Sequence, residues 1–598
     1  MNNIREKFLN INIFFGILIV VSTELLSFFN YINSFSVKLL WLTIFFFFLF
    51  FFFKKKKKFL NIKKFYLHDC KSLFILIVFF LTLLIALIYP PNTFDSLSYN
   101  MPRVMNWIQS NNVNFYPTND LRELVMGPLS QFIILHLYLL IDGDYLSNLV
   151  QWYAMITSCL VASLIAKEFG CNYRYQIFSS FFCVTIPMGI LQSTSTQTDY
   201  IAAMWLVIMV YSILKYINCN LKKYIFIFSI SLALGILTKG TNYIYALPFC
   251  IWLSLHILIK KREHFKYLLI VPLIFFFLNF GHFKRNVDLY QNPIGISQET
   301  NIWTNKKVNI TSFLSNFLRN TALNISVPSH LINSNNIKII NLLHDYMNIS
   351  SRDPETTISG EFNIHFSLDE THASNPIHFF ISFFVIILII FKQNFKKNEK
   401  YYSISIIAGY ILFCTLIKWN LSHSRFFLFL FILSGPLVSY FLYKFKFKKI
   451  TFIISILFSV YSLPYILSNN TRPLAFKLKW ENNIFFFDKP DFLTKTRDEL
   501  YYANSKDESV YLQHLTISKK IRNSNCNEIG FDSPNYNGLL YPLWHLLKKD
   551  SQSLNLKILH LNVQNKSKIY YKNYLEDYKI CAIINYEDNK KKVALNLF

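Results

Sequence analysis

Apolar runs long enough to cross a lipid bilayer recur along this chain, separated by short basic or long polar connections. A helix needs about 20 residues to span the hydrocarbon layer. The pattern predicts about thirteen spanning helices, near 11–30, 38–53, 71–90, 147–166, 175–191, 199–217, 222–238, 240–259, 267–283, 376–391, 402–418, 425–443 and 450–467. The apolar stretch 128–141 is shorter, which suits an interfacial or re-entrant helix. The first apolar stretch is long and shows no small-residue cleavage site, so it reads as a retained helix.

Short loops rich in Lys and Arg stay on the cytoplasmic side. Such clusters occur at Lys54–Lys58, Lys63/Lys64, Lys215/Lys222/Lys223, Lys260/Lys261/Arg262, Lys392/Lys396/Lys397 and Lys444/Lys446/Lys448/Lys449. Threading the spans with the N-terminus inside puts every cluster in the cytoplasm and the C-terminus outside. The polar segments 91–146, 284–375 and 468–598 then lie outside. Three parts follow: residues 1–70, with two helices and a basic loop; 71–467, the membrane core; and 468–598, an extracytoplasmic domain. Ser509-Val510-Tyr511-Leu512 and Lys579–Ile584 read as β-rich runs in the tail, with a helical pattern near Tyr541–Lys549. The fold class is therefore an all-α polytopic membrane protein carrying a small C-terminal α/β domain.

Composition agrees. The 598 residues are 53% hydrophobic and only 16% charged, well short of the share in soluble proteins. The aromatic runs Phe45–Phe48 and Phe50–Phe53 read as lipid-facing bulk. A formal net charge of +26 would suit nucleic acid, but the basic residues sit at the ends of apolar runs, so no nucleic-acid partner is expected. The nine cysteines form no CxxC or Cys/His cluster. Cys526 and Cys581 fall in the tail, where an external location would permit a disulfide.

The purposeful polar residues gather at outer helix ends and in outer loops: Asp95, Arg103, Arg122, Asp199, Lys239, Arg285, Glu370, His423 and Arg425. A pump or channel would place acids in mid-span instead. Asp95 follows a span closely enough to deprotonate a hydroxyl near lipid headgroups, or simply to form an Asx turn or helix cap. Asp199 opens a span with no basic residue nearby in sequence; it would orient an acceptor, assist a metal with Asp95, or cap its helix. Arg suits an anionic lipid phosphate because its planar fork stays charged and binds oxygens in pairs. Lys239 and Arg425 are the more notable cations, since they occupy tight turns on the outer side, against the orientation bias. The alternative for Arg103 and Arg285 is snorkelling to the headgroup layer. His423 would contact phosphate, shuttle a proton or serve structure alone. Glu370 and His372 would line an acceptor side or a solvated loop, and Arg122 is a further loop candidate. No GxxxxGK[ST] loop, GxGxxG or HExxH is present.

Phe94-Asp95-Ser96-Leu97-Ser98-Tyr99, then Pro102-Arg103-Val104, Trp107-Ile108-Gln109 and Tyr116-Pro117-Thr118, resembles the first loop of bacterial GT-C glycosyltransferase-like membrane proteins, relatives of the protein mannosyltransferases and aminoarabinose transferases. The resemblance continues through Thr198-Asp199-Tyr200, Leu237-Thr238-Lys239-Gly240-Thr241, Arg285-Asn286, Asn375-Pro376 with His378, Trp419, Ser422-His423-Ser424-Arg425-Phe426, Ile529-Gly530 and Tyr541-Pro542-Leu543-Trp544, so it covers about 75–550. Asn100 and Asn106 depart from it, since histidine is common at both positions.

The resemblance implies an inverting transferase of the bacterial inner membrane, acting in cell-envelope polysaccharide biosynthesis. It would take sugar from a polyprenyl-phosphate donor and give it to a glycan, lipid or protein acceptor. Asp95 would be the general base, joined by Asp199. Arg103, Lys239, Arg285, His423 and Arg425 would bind the donor phosphate. No cofactor is required by any motif; a divalent metal, if used, would sit on Asp95 and Asp199. The competing readings are a polyprenyl-linked glycan flippase or transporter, expected to show related halves with broken helices, and an O-antigen polymerase or ligase, which needs no first-loop Asp.

Overall fold

The computed structural model describes residues 2–54, 69–297, 299, 301–358, 361–481, 484–503, 509–533, 539–549, 556–571, 579–587 and 592–597. The basic residues Lys55–Lys58, Lys63 and Lys64 lie outside this set. Helices α1 (Asn2–Phe28), α2 (Ser34–Lys54) and α3 (Cys70–Ile88) lead into the first long loop. That loop holds a π-helical turn, Ser96–Asn100, and helices α4 (Met101–Ser110), α5 (Arg122–Val125) and α6 (Leu129–Ile141). Next come α7 (Leu149–Glu168), α8 (Tyr173–Val184), α9 (Pro187–Gln192), α10 (Asp199–Cys219), α11 (Lys223–Thr238), α12 (Thr241–Lys260), α13 (Phe265–Leu268) and α14 (Ile270–Tyr290). The second long loop carries α15 (Ile310–Asn324) and α16 (His330–Tyr346). The bundle closes with α17 (Pro376–Phe391), α18 (Lys397–Leu416), the 3-10 segment Leu421–Phe427, α19 (Leu428–Lys444) and α20 (Lys448–Leu467).

Each of the spans read from the sequence falls on helix. Among the described residues, eight helices are long and apolar enough to cross a membrane, and several shorter apolar ones lie beside them. One span needs correction: 175–191 is not a single helix. It breaks at Thr185–Ile186 into α8 and α9, because Pro187 lacks an N–H and pushes Ile186 to an extended ψ of 116°. The helix α10 is almost wholly enclosed by its neighbours, whereas α2 and α14 expose Phe45, Phe46, Phe276 and Phe280.

The two ends of the bundle differ chemically. At one end Arg5 donates to Ser163 Oγ and Gln176 Oε1, and Lys215 donates to Glu168 at 2.7 Å. The N-terminus and the basic connection around Lys215 therefore share an end. At the opposite end lie Asp95, Asp199, Lys239 and Arg425. Asp199 and Lys215 both belong to α10, so the two ends stand about 24 Å apart along its axis.

The tail begins with an antiparallel hairpin, β1 (Lys477–Glu481) and β2 (Ile484–Asp488), paired Lys477 to Asp488. After α21 (Arg497–Leu500) and α22 (Ser509–Asn523) come β3 (Glu528–Asp532), α23 (Leu540–Lys548), β4 (Lys557–His560), β5 (Ala582–Glu587) and β6 (Lys592–Leu597). The sheet order is β4-β3-β5-β6, with β3 parallel to both β4 and β5 and β6 antiparallel to β5. Here a second correction arises. Ser509–Leu512 opens α22 instead of forming a strand, because the buried positions Val510, His514, Ile517 and Ile521 recur at helical spacing. Cys526 and Cys581, which precede the neighbouring strands β3 and β5, are joined as a disulfide.

The tail docks on the first loop. Buried Asp144 accepts from Arg497 at 2.8 Å, from the Tyr541 hydroxyl at 2.9 Å, and from the Tyr501 hydroxyl. Gln109 Nε2 donates to Ile558 O at 3.0 Å, and Ile558 N donates back to Gln109 Oε1 at 3.1 Å.

Candidate active site

Asp95 stands where α3 has ended and a π-helical turn begins. Such wide turns are uncommon and recur at functional sites. Its backbone is helical, and its side chain caps nothing. The carboxylate turns instead to the Arg425 guanidinium, 330 residues away in sequence, and forms an ion pair. Burial pushes the Asp95 carboxyl up, but the charge and hydrogen bond of Arg425, with help from Arg122 and the Tyr99 hydroxyl, hold it below the ordinary aspartate range. Asp95 is thus an ionised carboxylate in a nearly dry setting.

A second ion pair lies alongside. Lys239 Nζ donates to Asp199 Oδ1 at 2.5 Å. Lys239 comes from the tight turn between α11 and α12, and Asp199 from the first turn of α10, where a negative charge also suits the helix dipole. Burial lowers the Lys239 ammonium below its ordinary value. The pairs form one group: Phe426 packs under both cations, with Lys239 Nζ 4.1 Å and the Arg425 guanidinium carbon 5.1 Å from its ring centre. Asp199 Oδ2 and Arg425 Nε are buried and have no hydrogen-bond partner among the described residues.

Arg122 borders this group. It chelates Asp120, with Nε at 2.9 Å and Nη2 at 2.6 Å, and lies 4.6 Å over the Tyr99 ring. His423 supports it from behind, with Nδ1 3.2 Å from Asn320 Oδ1 and its ring against Phe413 and Phe426. Hydroxyls tie the backbones together: Thr93 Oγ1 meets Ser96 Oγ at 2.5 Å, and Thr196 Oγ1 donates to Ser96 Oγ at 2.6 Å.

Two expected phosphate ligands are not brought into this group. Arg103 donates to the carbonyls of Met126 and Leu124 at 2.8 and 3.2 Å and stacks 4.7 Å from Trp107. Arg285 is held by both oxygens of Glu24 at 2.7 and 2.9 Å. Of the positions where histidine was expected, Asn100 accepts from Gln131, and Asn106 donates to Pro102 O at 3.1 Å.

The largest omission from the sequence reading is Arg472. It is fully buried and donates to Glu370 Oε2 at 3.0 Å, Asn92 Oδ1 at 2.9 Å, Thr471 Oγ1 at 3.0 Å and Thr194 Oγ1 at 3.2 Å. One guanidinium thus joins the first loop, the turn before α10, the segment before α17 and the start of the tail. Burial pushes the Glu370 carboxyl up to about 7, against the pull of Arg472. His372 faces elsewhere, with Nδ1 2.8 Å from Thr371 Oγ1 and 3.3 Å from Asp369. Arg472 follows the last span among ordinary loop residues, so no sequence signal marks it.

No protein-family model matches this chain, and no curated protein matches it. Solved structures do. The chain is similar to ArnT from Cupriavidus metallidurans bound to undecaprenyl phosphate, at 10% identity and a TM-score of 0.44, over 87% of this chain and 93% of that one. It is also similar to the apo state of the same protein, at 9% identity and a TM-score of 0.42, over 87% and 93% of the two chains.

The expected metal ligands do not fit a metal well. Among the described residues no group of three or more His, Cys, Asp or Glu side chains gathers. The Asp95 and Asp199 carboxylates are each neutralised by a side-chain cation, which opposes a divalent ion.

Proposed function

We propose that this chain is an inverting, GT-C-type glycosyltransferase of the bacterial inner membrane. It takes a sugar from a polyprenyl-phosphate donor and gives it to a glycan, lipid or protein acceptor outside the cytoplasm, with its N-terminus inside and its tail outside. The observation that carries the reading is the Asp95–Arg425 ion pair, flanked by Asp199–Lys239 at one end of a membrane bundle. The tail disulfide supports an oxidising, external location.

The chemistry follows from the charges. A lipid phosphate entering the group competes with Asp95 for the Arg425 guanidinium, whose Nε is uncommitted. Asp95 is then released as an ionised base and takes the proton of an acceptor hydroxyl. The hydroxyl oxygen bonds to the anomeric carbon from the face opposite the phosphate. The carbon–phosphate oxygen bond breaks, and its electron pair stays with the lipid phosphate. Arg425 and Lys239 stabilise that leaving anion in a site where solvent screens little. Asp199 opposes the effect of burial on Lys239 and offers Oδ2 to an acceptor hydroxyl. His423 holds the Phe426 platform. Glu370, through Arg472, and Arg122, through Tyr99, position the first loop. Arg103 and Arg285 anchor the scaffold beside the site.

The test is Asp95→Asn in purified protein, assayed with a radiolabelled polyprenyl-phosphate sugar. Transfer falls about 100-fold or more, while membrane insertion is retained. Full transfer by the variant overturns the base assignment. Movement of the intact donor across a vesicle bilayer by the wild-type chain, without transfer, overturns the enzyme.

A further inference from the structure

The helix α16 has three sides. At about 100° per residue, Asn333, Ile340 and His344 share one side, and all three are buried. Ser334, Lys338, Asn341 and Asp345 share a polar side. The third side carries Leu331, Ile332, Ile339, Leu342, Leu343 and Tyr346, within roughly 120° of arc, with Asn335 the one polar residue among them. All six are exposed, with Leu331 at 70%, Leu342 at 67% and Tyr346 at 88%. Soluble surfaces rarely leave such a strip bare.

Its place in the fold says what covers it. The preceding helix α15 lies beside the last two turns of α18: Asn316 Nδ2 donates to Cys414 O at 3.1 Å and Ile417 O at 3.2 Å, and Thr321 Oγ1 meets the Tyr410 hydroxyl at 3.0 Å. The helix α16 folds back on α15, with His344 Nε2 2.8 Å from Ser315 Oγ. It therefore stands one layer from the end of a spanning helix. Ile411 and Leu416 on α18, and Ile310 and Leu314 on α15, are exposed apolar residues as well.

We infer that α16 is an interfacial helix whose apolar strip lies in the lipid headgroup–acyl boundary, in the leaflet that faces the candidate site. The geometry is that of an amphipathic helix lying in the plane of the interface, with Lys338 at the polar edge, where its stem reaches towards headgroups. The inference needs a membrane-embedded bundle and is independent of glycosyl transfer.

The experiment places the photo-crosslinking residue p-benzoylphenylalanine at Leu342, Tyr346 or Asn341, with Phe276 on α14 as the lipid-facing reference. The full chain is reconstituted in nanodiscs of phosphatidylethanolamine and phosphatidylglycerol, irradiated and read by intact mass. Lipid adducts at Leu342 and Tyr346 match those at Phe276 and exceed Asn341 several-fold. Adducts no greater than at Asn341, or a covalent dimer of the chain, overturn the inference. All four positions are exposed, so folding is not at issue, and the Phe276 reference certifies each preparation.

Discussion

Arg472 Nη2 donates to Glu370 Oε2 at 3.0 Å with both side chains buried, and the same guanidinium holds Asn92, three residues before Asp95. A buried pair gives little net stability, but removing Arg472 takes the guanidinium donor from the buried Glu370, Asn92, Thr471 and Thr194 oxygens. Arg472→Met therefore costs about 3–5 kcal/mol, read as a lowered midpoint in thermal unfolding. Arg472→Lys recovers only part, since one ammonium cannot reach all four side-chain acceptors.

Glu370 sets a pH dependence. Its carboxyl is raised to about 7 by burial, from an ordinary value of 4.5. Between those values the folded protein holds a proton that the unfolded chain releases. Stability from this group is thus full below pH 4.5 and declines as pH rises towards 7. The unfolding midpoint falls across that window, and Glu370→Gln flattens the fall. An unchanged slope in the variant refutes the assignment.

Asp199 and Lys239 form a testable couple. Lys239→Met leaves the buried Asp199 charge unpaired and destabilises the fold. Adding Asp199→Asn restores stability, so a double-mutant cycle on thermal unfolding gives a coupling of about 1–3 kcal/mol. Transfer activity stays low in the double variant, because the leaving phosphate has lost a cation. Recovery of both would make the pair purely structural.

Asp144 pins the tail to the bundle through Arg497, Tyr501 and Tyr541. Asp144→Ala leaves two tyrosine hydroxyls and a guanidinium without their acceptor. Hydrogen exchange then rises in α21, α23 and the Gln109–Ile558 contact, while the span helices stay protected.

The Cys526–Cys581 disulfide closes a loop of 55 residues around β3 and α23. Cys526→Ser lowers the unfolding midpoint of the tail by an amount corresponding to about 2–5 kcal/mol. In intact cells a reporter fused after Phe598 reads external, and one fused after Lys58 reads cytoplasmic.

The sequence by itself determined that the apolar spans are helices, because a run of about 20 apolar residues satisfies its own backbone hydrogen bonds in that form. It also placed Asp95, Asp199, Lys239 and Arg425 at the ends of those spans. Tertiary structure alone decided their pairing. Asp95 meets Arg425 across 330 residues, and Asp199 meets Lys239 across 40. Local periodicity carries no record of such distant contacts. The same limit explains Ser509–Leu512, whose β-branched and aromatic character reads as strand until burial at helical spacing overrides it. It also explains Arg103 and Arg285, which carry the right charge for a phosphate and are spent on backbone carbonyls and Glu24. Arg472 was invisible for the converse reason: its role comes from four segments closing around it, and only packing brings them together.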